Sequence, residues 1–251
     1  MDEWYDCSSS GDASDTDEVN PQFDDDLNCT LPSFPKLQFR SDSSRAIWRS
    51  DLSLAELVDK KGKIWVSTGI VRSGTIFCFL EEILYLAEIG ALILLDDNNA
   101  VISLEELYGK VAEKTNGCSW EHFESYRYLK SLGYVIGRHG VPWSVKGAEQ
   151  DFDLVAAQQI ELIVLEQMLD NLRVDELRPA FDVYLPNSKF KKSSPGDPAF
   201  RLCVLRGNPP CKIQIDALNR LCGSSPLKLC HVDHGRVSFF SSENVELPVL
   251  P

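Results

Sequence analysis

The chain has 251 residues, 43% of them hydrophobic and 25% charged, an ordinary balance for a globular protein with enough apolar mass to bury a core. Its formal charge of −13 is uneven: ten acidic residues between Asp2 and Asp26 precede the first basic residue, Lys36, which leaves about −3 for the rest. The remainder therefore lacks the strong basic stripe of a lone nucleic-acid binder, without being too acidic to touch RNA. No apolar run approaches the roughly 20 residues that span a bilayer.

Residues 1–33, rich in Ser, Asp and Gly, read as a solvated, disordered acidic tail, with Ser8 to Ser10 beside acidic residues as a candidate phosphorylation stretch. The start, Met1-Asp2-Glu3, has neither a basic region nor an apolar one, so an intracellular address is expected. Asn28-Cys29-Thr30 then reads as a chance match to a glycosylation sequon. Eight cysteines (Cys7, Cys29, Cys78, Cys118, Cys203, Cys211, Cys222 and Cys230) form no Cys-x-x-Cys pair and have no His at finger spacing, which predicts reduced thiols and no zinc.

Order is expected from about Phe34. Ser53 to Lys60 carries Leu54, Leu57 and Val58 at helical spacing, and Gly62 to Ile70 reads as a strand ending before a Ser73-Gly74 turn. From Leu80 to Leu95 apolar residues surround the helix axis, predicting a buried segment broken at Asp96. Ser103 and Glu106 form a capping box for a helix through Ala112. Ser119 opens a second helix, with Gly133 stopping it. A strand at Tyr134 to Ile136 and a turn at His139-Gly140 complete a winged-helix-like unit.

Asp153 to Leu172 reads as a connecting helix with Ile160, Ile163, Val164 and Met168 as contact positions. Beyond it, strands are expected at Phe181 to Leu185, Phe200 to Leu205, Leu227 to Val232 and Val237 to Phe240, with a helix over Ile215 to Cys222 closed by Gly223. The predicted class is α+β to α/β. Its parts are an acidic tail (1–33), an N-terminal mixed domain with the winged-helix-like unit (34–148), a connecting helix (149–178) and a small C-terminal α/β domain (179–251).

Two stretches carry a family resemblance. Leu80-Glu81-Glu82-Ile83-Leu84-Tyr85-Leu86-Ala87-Glu88-Ile89-Gly90, with Tyr126-Arg127-Tyr128-Leu129-Lys130-Ser131-Leu132-Gly133-Tyr134-Val135, resembles the N-terminal domain of the larger structural subunit (fifty-four-kilodalton class) of the eukaryotic tRNA-splicing endonuclease. Phe181-Asp182-Val183-Tyr184, then Phe190 to Pro198, and Gly235 to Phe240 are similar to its nuclease-like C-terminal domain.

The resemblance implies a four-subunit assembly in which two members cut pre-tRNA and two support them. Metal-free RNA cleavage needs a base, an acid and a cation, which the family's cutting subunits supply as Tyr, His and Lys. Here Ser193-Ser194, Ala199 to Leu202 and Ser224-Ser225-Pro226 stand at those places, so no catalytic residue is expected; Lys228 and Tyr184 are displaced candidates. The resemblance places Asp233, with Val237, Phe239 and Phe240, at a subunit interface. Arg127, Lys130, Arg138 and His139 on the winged-helix-like unit, and Lys189, Lys191 and Lys192 in one loop, are candidate contacts to the body of precursor tRNA.

His122 reads as a helix residue, and His231-Val232-Asp233-His234 as a weak metal motif, so no metal and no cofactor are expected. The implied partners are the other endonuclease subunits and precursor tRNA, with no membrane span and a nuclear location. A free-standing winged-helix nucleic-acid binder is the alternative reading.

Overall fold

The computed structural model describes residues 43–113, 117–145, 165, 177–186, 189–207 and 209–241. The acidic tail and the connecting helix lie outside them, apart from Leu165 and residues 177 and 178. Two five-stranded sheets, each with both parallel and antiparallel pairs, organise the chain. The first runs in the order β3-β4-β2-β1-β5, from β1 (Ser44–Arg49), β2 (Leu54–Asp59), β3 (Ile70–Arg72), β4 (Thr75–Cys78) and β5 (Leu92–Leu95). The second runs β10-β9-β8-β7-β6, from β6 (Val135–Arg138), β7 (Phe181–Tyr184), β8 (Phe200–Leu205), β9 (Leu227–Asp233) and β10 (Arg236–Ser241). The helices are α1 (Leu80–Glu88), α2 (Leu104–Ala112), α3 (Trp120–Ser131) and α4 (Lys212–Cys222).

Three local expectations are corrected. The segment read as a helix at Ser53 to Lys60 is β2, which pairs with β1 on one edge and β4 on the other. Six residues gain little as an isolated helix, whereas a central strand satisfies its backbone on both sides and buries Leu54 and Ala55 on opposite faces. The strand expected from Gly62 begins only at Ile70, because Ile64–Val66 forms a 3₁₀ turn. That turn sinks Trp65, whose Nε1 donates to Ser44 Oγ at 2.9 Å and to the Lys61 carbonyl at 3.0 Å.

The Leu80 to Leu95 segment is buried as expected but is not one helix. Gly90, at φ +67°, turns the chain. The amides of Gly90 and Ala91 bond back to the Ala87 and Leu86 carbonyls at 3.0 and 2.8 Å. This Schellman arrangement closes α1 and releases β5 into the first sheet beside β1.

The predicted caps are present. Ser103 and Glu106 exchange bonds at 2.7 and 3.2 Å, Ser119 caps α3, and Gly133 follows α3 at φ +89°. The four strands predicted after residue 180 match β7 to β10, and the helix between them starts slightly earlier, at Lys212.

α3 joins the two cores. Phe123 packs with α1, α2 and the first sheet, while Tyr126 and Leu129 pack on the second. The second sheet is covered on both faces. Phe200, Leu202 and Val204 of β8 meet α3, and Cys203 and Leu205 meet Leu218 and Cys222 of α4. β6, expected to belong to a winged-helix unit, is an edge strand of this second sheet and pairs antiparallel with β7. Its register, Val135↔Tyr184 to Arg138↔Phe181, makes it part of the C-terminal sheet. Among the described residues no helix is long and apolar enough to cross a membrane.

Candidate subunit and RNA interfaces

The cations expected on one exposed face have other employment. Arg138 of β6 lies inside, where Nε and Nη2 donate to the two carboxylate oxygens of Glu81 at 2.7 and 2.6 Å. Its guanidinium sits 4.1 Å from the Phe79 ring centroid. Burial pushes the Glu81 carboxyl up, but the Arg138 charge and its hydrogen bonds outweigh that and hold it below the usual carboxylate range.

Lys130 of α3 donates to the Ser67 carbonyl at 3.0 Å, and burial lowers its pKa to about 8 against the pull of Glu82. Lys192 donates to the adjacent Thr68 carbonyl at 2.5 Å, and burial lowers its pKa too. Arg127 spans Glu124 at 2.6 Å and Glu88 at 3.6 Å. His139 Nδ1 lies 2.9 Å from Asp182 Oδ1. Of the seven candidate RNA contacts, Lys189 and Lys191 stand exposed.

The sequence did not reveal these partners because most of the acceptors come from distant segments; Glu124, three residues before Arg127 on α3, is the local exception. Sequence reasoning also missed Glu81 and Glu82, adjacent carboxylates at the start of α1. Glu82 accepts from the Gly69 and Phe79 amides at 2.8 and 3.0 Å, and burial raises its pKa. The signal was available, since two acids in the first turn of a mostly apolar helix complement its dipole and its open amides. Gly69 is required there: at φ +75°, a Cβ would come within 2.8 Å of the Phe77 carbonyl oxygen.

The stretches that the resemblance compares with acid, base and cation lie in the loop before β8, at the start of β8, and between α4 and β9 (Ser224-Ser225-Pro226). Ser193 and Ser194 are exposed in a turn, the Ser194 amide bonding the Lys191 carbonyl at 3.0 Å. Phe200 is buried, with Lys228 Nζ 5.3 Å from its ring centroid. Arg201 donates to the Cys222 carbonyl at 2.5 Å, closing the C-terminus of α4, and sits 3.3 Å from Asp182. Tyr184 packs against Phe190 and Trp143 with ring centroids 5.3 and 6.2 Å apart, and burial raises its hydroxyl pKa.

The candidate protein interface is the β9–β10 hairpin. His234 and Gly235, both at positive φ (47° and 77°), form its tight turn. Asp233 is exposed and bonded to His234 at 2.7 Å. Val237 and Phe239 face α3, with the Phe239 ring 5.6 Å from Tyr128. Phe240 points to the opposite face, 52% exposed, on an edge strand without a second neighbour among the described strands. His122 is turned inward beside Ser119, 2.9 Å away, and Phe181; burial, aided by Arg206, lowers its pKa to about 4. Among the described residues no group of three or more His, Cys, Asp or Glu could hold a metal ion.

Comparison with known proteins adds two findings. Residues 29–96 match a family model described as tRNA-splicing endonuclease subunit sen54 N-term. A stretch of 109 residues, 43% of this chain, is 36% identical to the tRNA-splicing endonuclease subunit Sen54 of Mus musculus. The match covers 20% of that relative, so the chain corresponds to a minor part of its length.

Proposed function

We propose that this chain, a Sen54-like tRNA-splicing endonuclease subunit, is a non-catalytic scaffold that organises the cutting subunits and helps position the body of the precursor tRNA. One observation carries the reading. By the resemblance, the places of a cutting subunit's Tyr, His and Lys are taken by Ser193-Ser194 in a turn, by a stretch with the buried Phe200 and with Arg201 bound to the Cys222 carbonyl, and by Ser224-Ser225-Pro226. A nuclease-like sheet furnished in this way offers surface in place of proton transfer.

The outer edge of β10, with Phe240 exposed, supports a subunit contact by strand addition. The full reading is a heterotetrameric assembly in the nucleus. The free-standing winged-helix alternative is weaker, because β6 is hydrogen-bonded into the C-terminal sheet.

The test is affinity purification of the full chain from cells with identification of bound proteins, and the same with Asp233→Arg and Phe240→Glu. Other endonuclease subunits should co-purify with the wild type and be lost from both variants. A solitary wild-type monomer, or cleavage of intron-containing tRNA by the purified chain alone, overturns the reading.

A further inference from the structure

We infer that Lys60, Lys61 and Lys63 join Lys189 and Lys191 in one phosphate-binding ridge for structured RNA, assembled from two segments that lie far apart in the chain. The inference rests on the proposed handling of precursor tRNA and identifies the surface that performs it.

Lys192 is what brings the segments together. Its ammonium donates to the Thr68 carbonyl at 2.5 Å, and its own carbonyl accepts from Ser144 Oγ at 3.2 Å. The loop bearing Lys189 and Lys191 is thereby pinned against residues 67–69. Those residues directly follow the Lys60-Lys61-Gly62-Lys63 segment and its 3₁₀ turn. Lys60 comes close enough to Lys192 to disfavour that residue's charge.

Five lysines of the two segments are exposed: Lys60, Lys61, Lys63, Lys189 and Lys191. The acids among them are Asp59, 3.7 Å from Lys61, and Asp197. In a chain with 38 acidic and 25 basic residues, such a local excess of positive charge stands against the average.

The backbone beneath the lysines is held rigidly. Lys61 donates its amide to Ser44 Oγ at 2.9 Å, and its carbonyl accepts from Trp65 Nε1 at 3.0 Å. Flexible ammonium groups on a fixed backbone suit phosphates followed by shape, without the bidentate geometry that reads bases. A protein-docking patch would present apolar or aromatic anchors. Among the described residues of 59–66 and 189–198, Val66 is the exposed large apolar side chain.

The experiment titrates fluorescein-labelled, intron-containing precursor tRNA with the full chain, reading anisotropy between about 50 and 200 mM salt. Lys60→Glu/Lys63→Glu/Lys191→Glu should weaken binding at least tenfold. It should also flatten the plot of log affinity against log salt by about 0.7 to 0.9 per lost phosphate contact. Lys212→Glu, on α4, should behave as wild type, and thermal melts of all variants should coincide.

An unchanged slope in the triple variant overturns the ridge, as does a wild-type chain that binds no RNA. Unchanged RNA affinity with lost subunit co-purification would make the surface a protein contact and overturns the inference equally. The scaffold reading fails separately, if Phe240→Glu keeps its partners.

Discussion

Arg138 grips both carboxylate oxygens of Glu81, at 2.7 and 2.6 Å, and so ties β6 of the second sheet to the helix that lies over the first. The pair is almost fully removed from water, with side chains 12% and 2% exposed. Replacing Arg138 with Met should therefore destabilise the chain by about 3 to 5 kcal/mol, because an unpaired buried carboxylate remains. Arg138→Lys should recover little, having lost the planar two-point fit and the stacking on Phe79. Urea denaturation of these two variants, of Glu81→Gln and of Glu81→Gln/Arg138→Met checks this, with the double variant less damaged than the sum of Glu81→Gln and Arg138→Met.

His122 sets an acid limit. Its folded-state pKa of about 4 lies below the ordinary 6.5, so between those values the unfolded chain binds more protons than the folded one. Stability should be full above pH 6.5 and fall as the pH drops toward 4, by up to about 3 kcal/mol from this residue. His122→Gln should flatten that part of the profile relative to wild type, read as denaturation midpoints at a series of pH values.

Gly69 and Gly62 share nearly the same backbone angle, φ +75° and +74°, but differ in surroundings. A Cβ at Gly69 would lie 2.7 Å from Ile76 and 2.8 Å from the Phe77 carbonyl oxygen, whereas none at Gly62 meets an atom within 4 Å. Gly62→Ala should cost about 1 kcal/mol from conformation alone. Gly69→Ala should cost clearly more, since it also displaces the amide that binds Glu82. Parallel thermal melts separate the two.

Adjacent phenylalanines on β10 should separate folding from assembly. Phe239 packs on Tyr128 and the α3 side of the sheet, so Phe239→Glu should lower stability by roughly 2 to 4 kcal/mol. Phe240 is half exposed on the other face, so Phe240→Glu should leave the denaturation midpoint within about 0.5 kcal/mol of wild type while weakening subunit capture. Equal effects of the two on stability would show that Phe240 also belongs to the core.

The misplaced segments share one feature. At Ser53 to Lys60 the helical spacing of Leu54, Leu57 and Val58 is real, but β1 and β4 provide backbone partners on both edges of β2, and that pairing wins. Within Leu80 to Leu95, apolar residues on every side of the helix axis hid the change from helix to strand, although Gly90 marks the place. Lys130 and Arg127 read as surface cations because a helix pattern says which residues share a face, not what lies opposite that face.

Features settled within a few residues were legible in the chain's own pattern: the Ser103–Glu106 cap, the Ser119 start, the Gly133 stop, and the strands after residue 180, where turn residues and short apolar runs leave few alternatives. Which charges are internal and which stay exposed depended on the packing of segments far apart in the chain. Arg138 finds Glu81 at a separation of 57 residues and Lys192 finds Thr68 at 124. Local pattern cannot encode such meetings, because the desolvation that makes them matter arises only when the two sheets close over them.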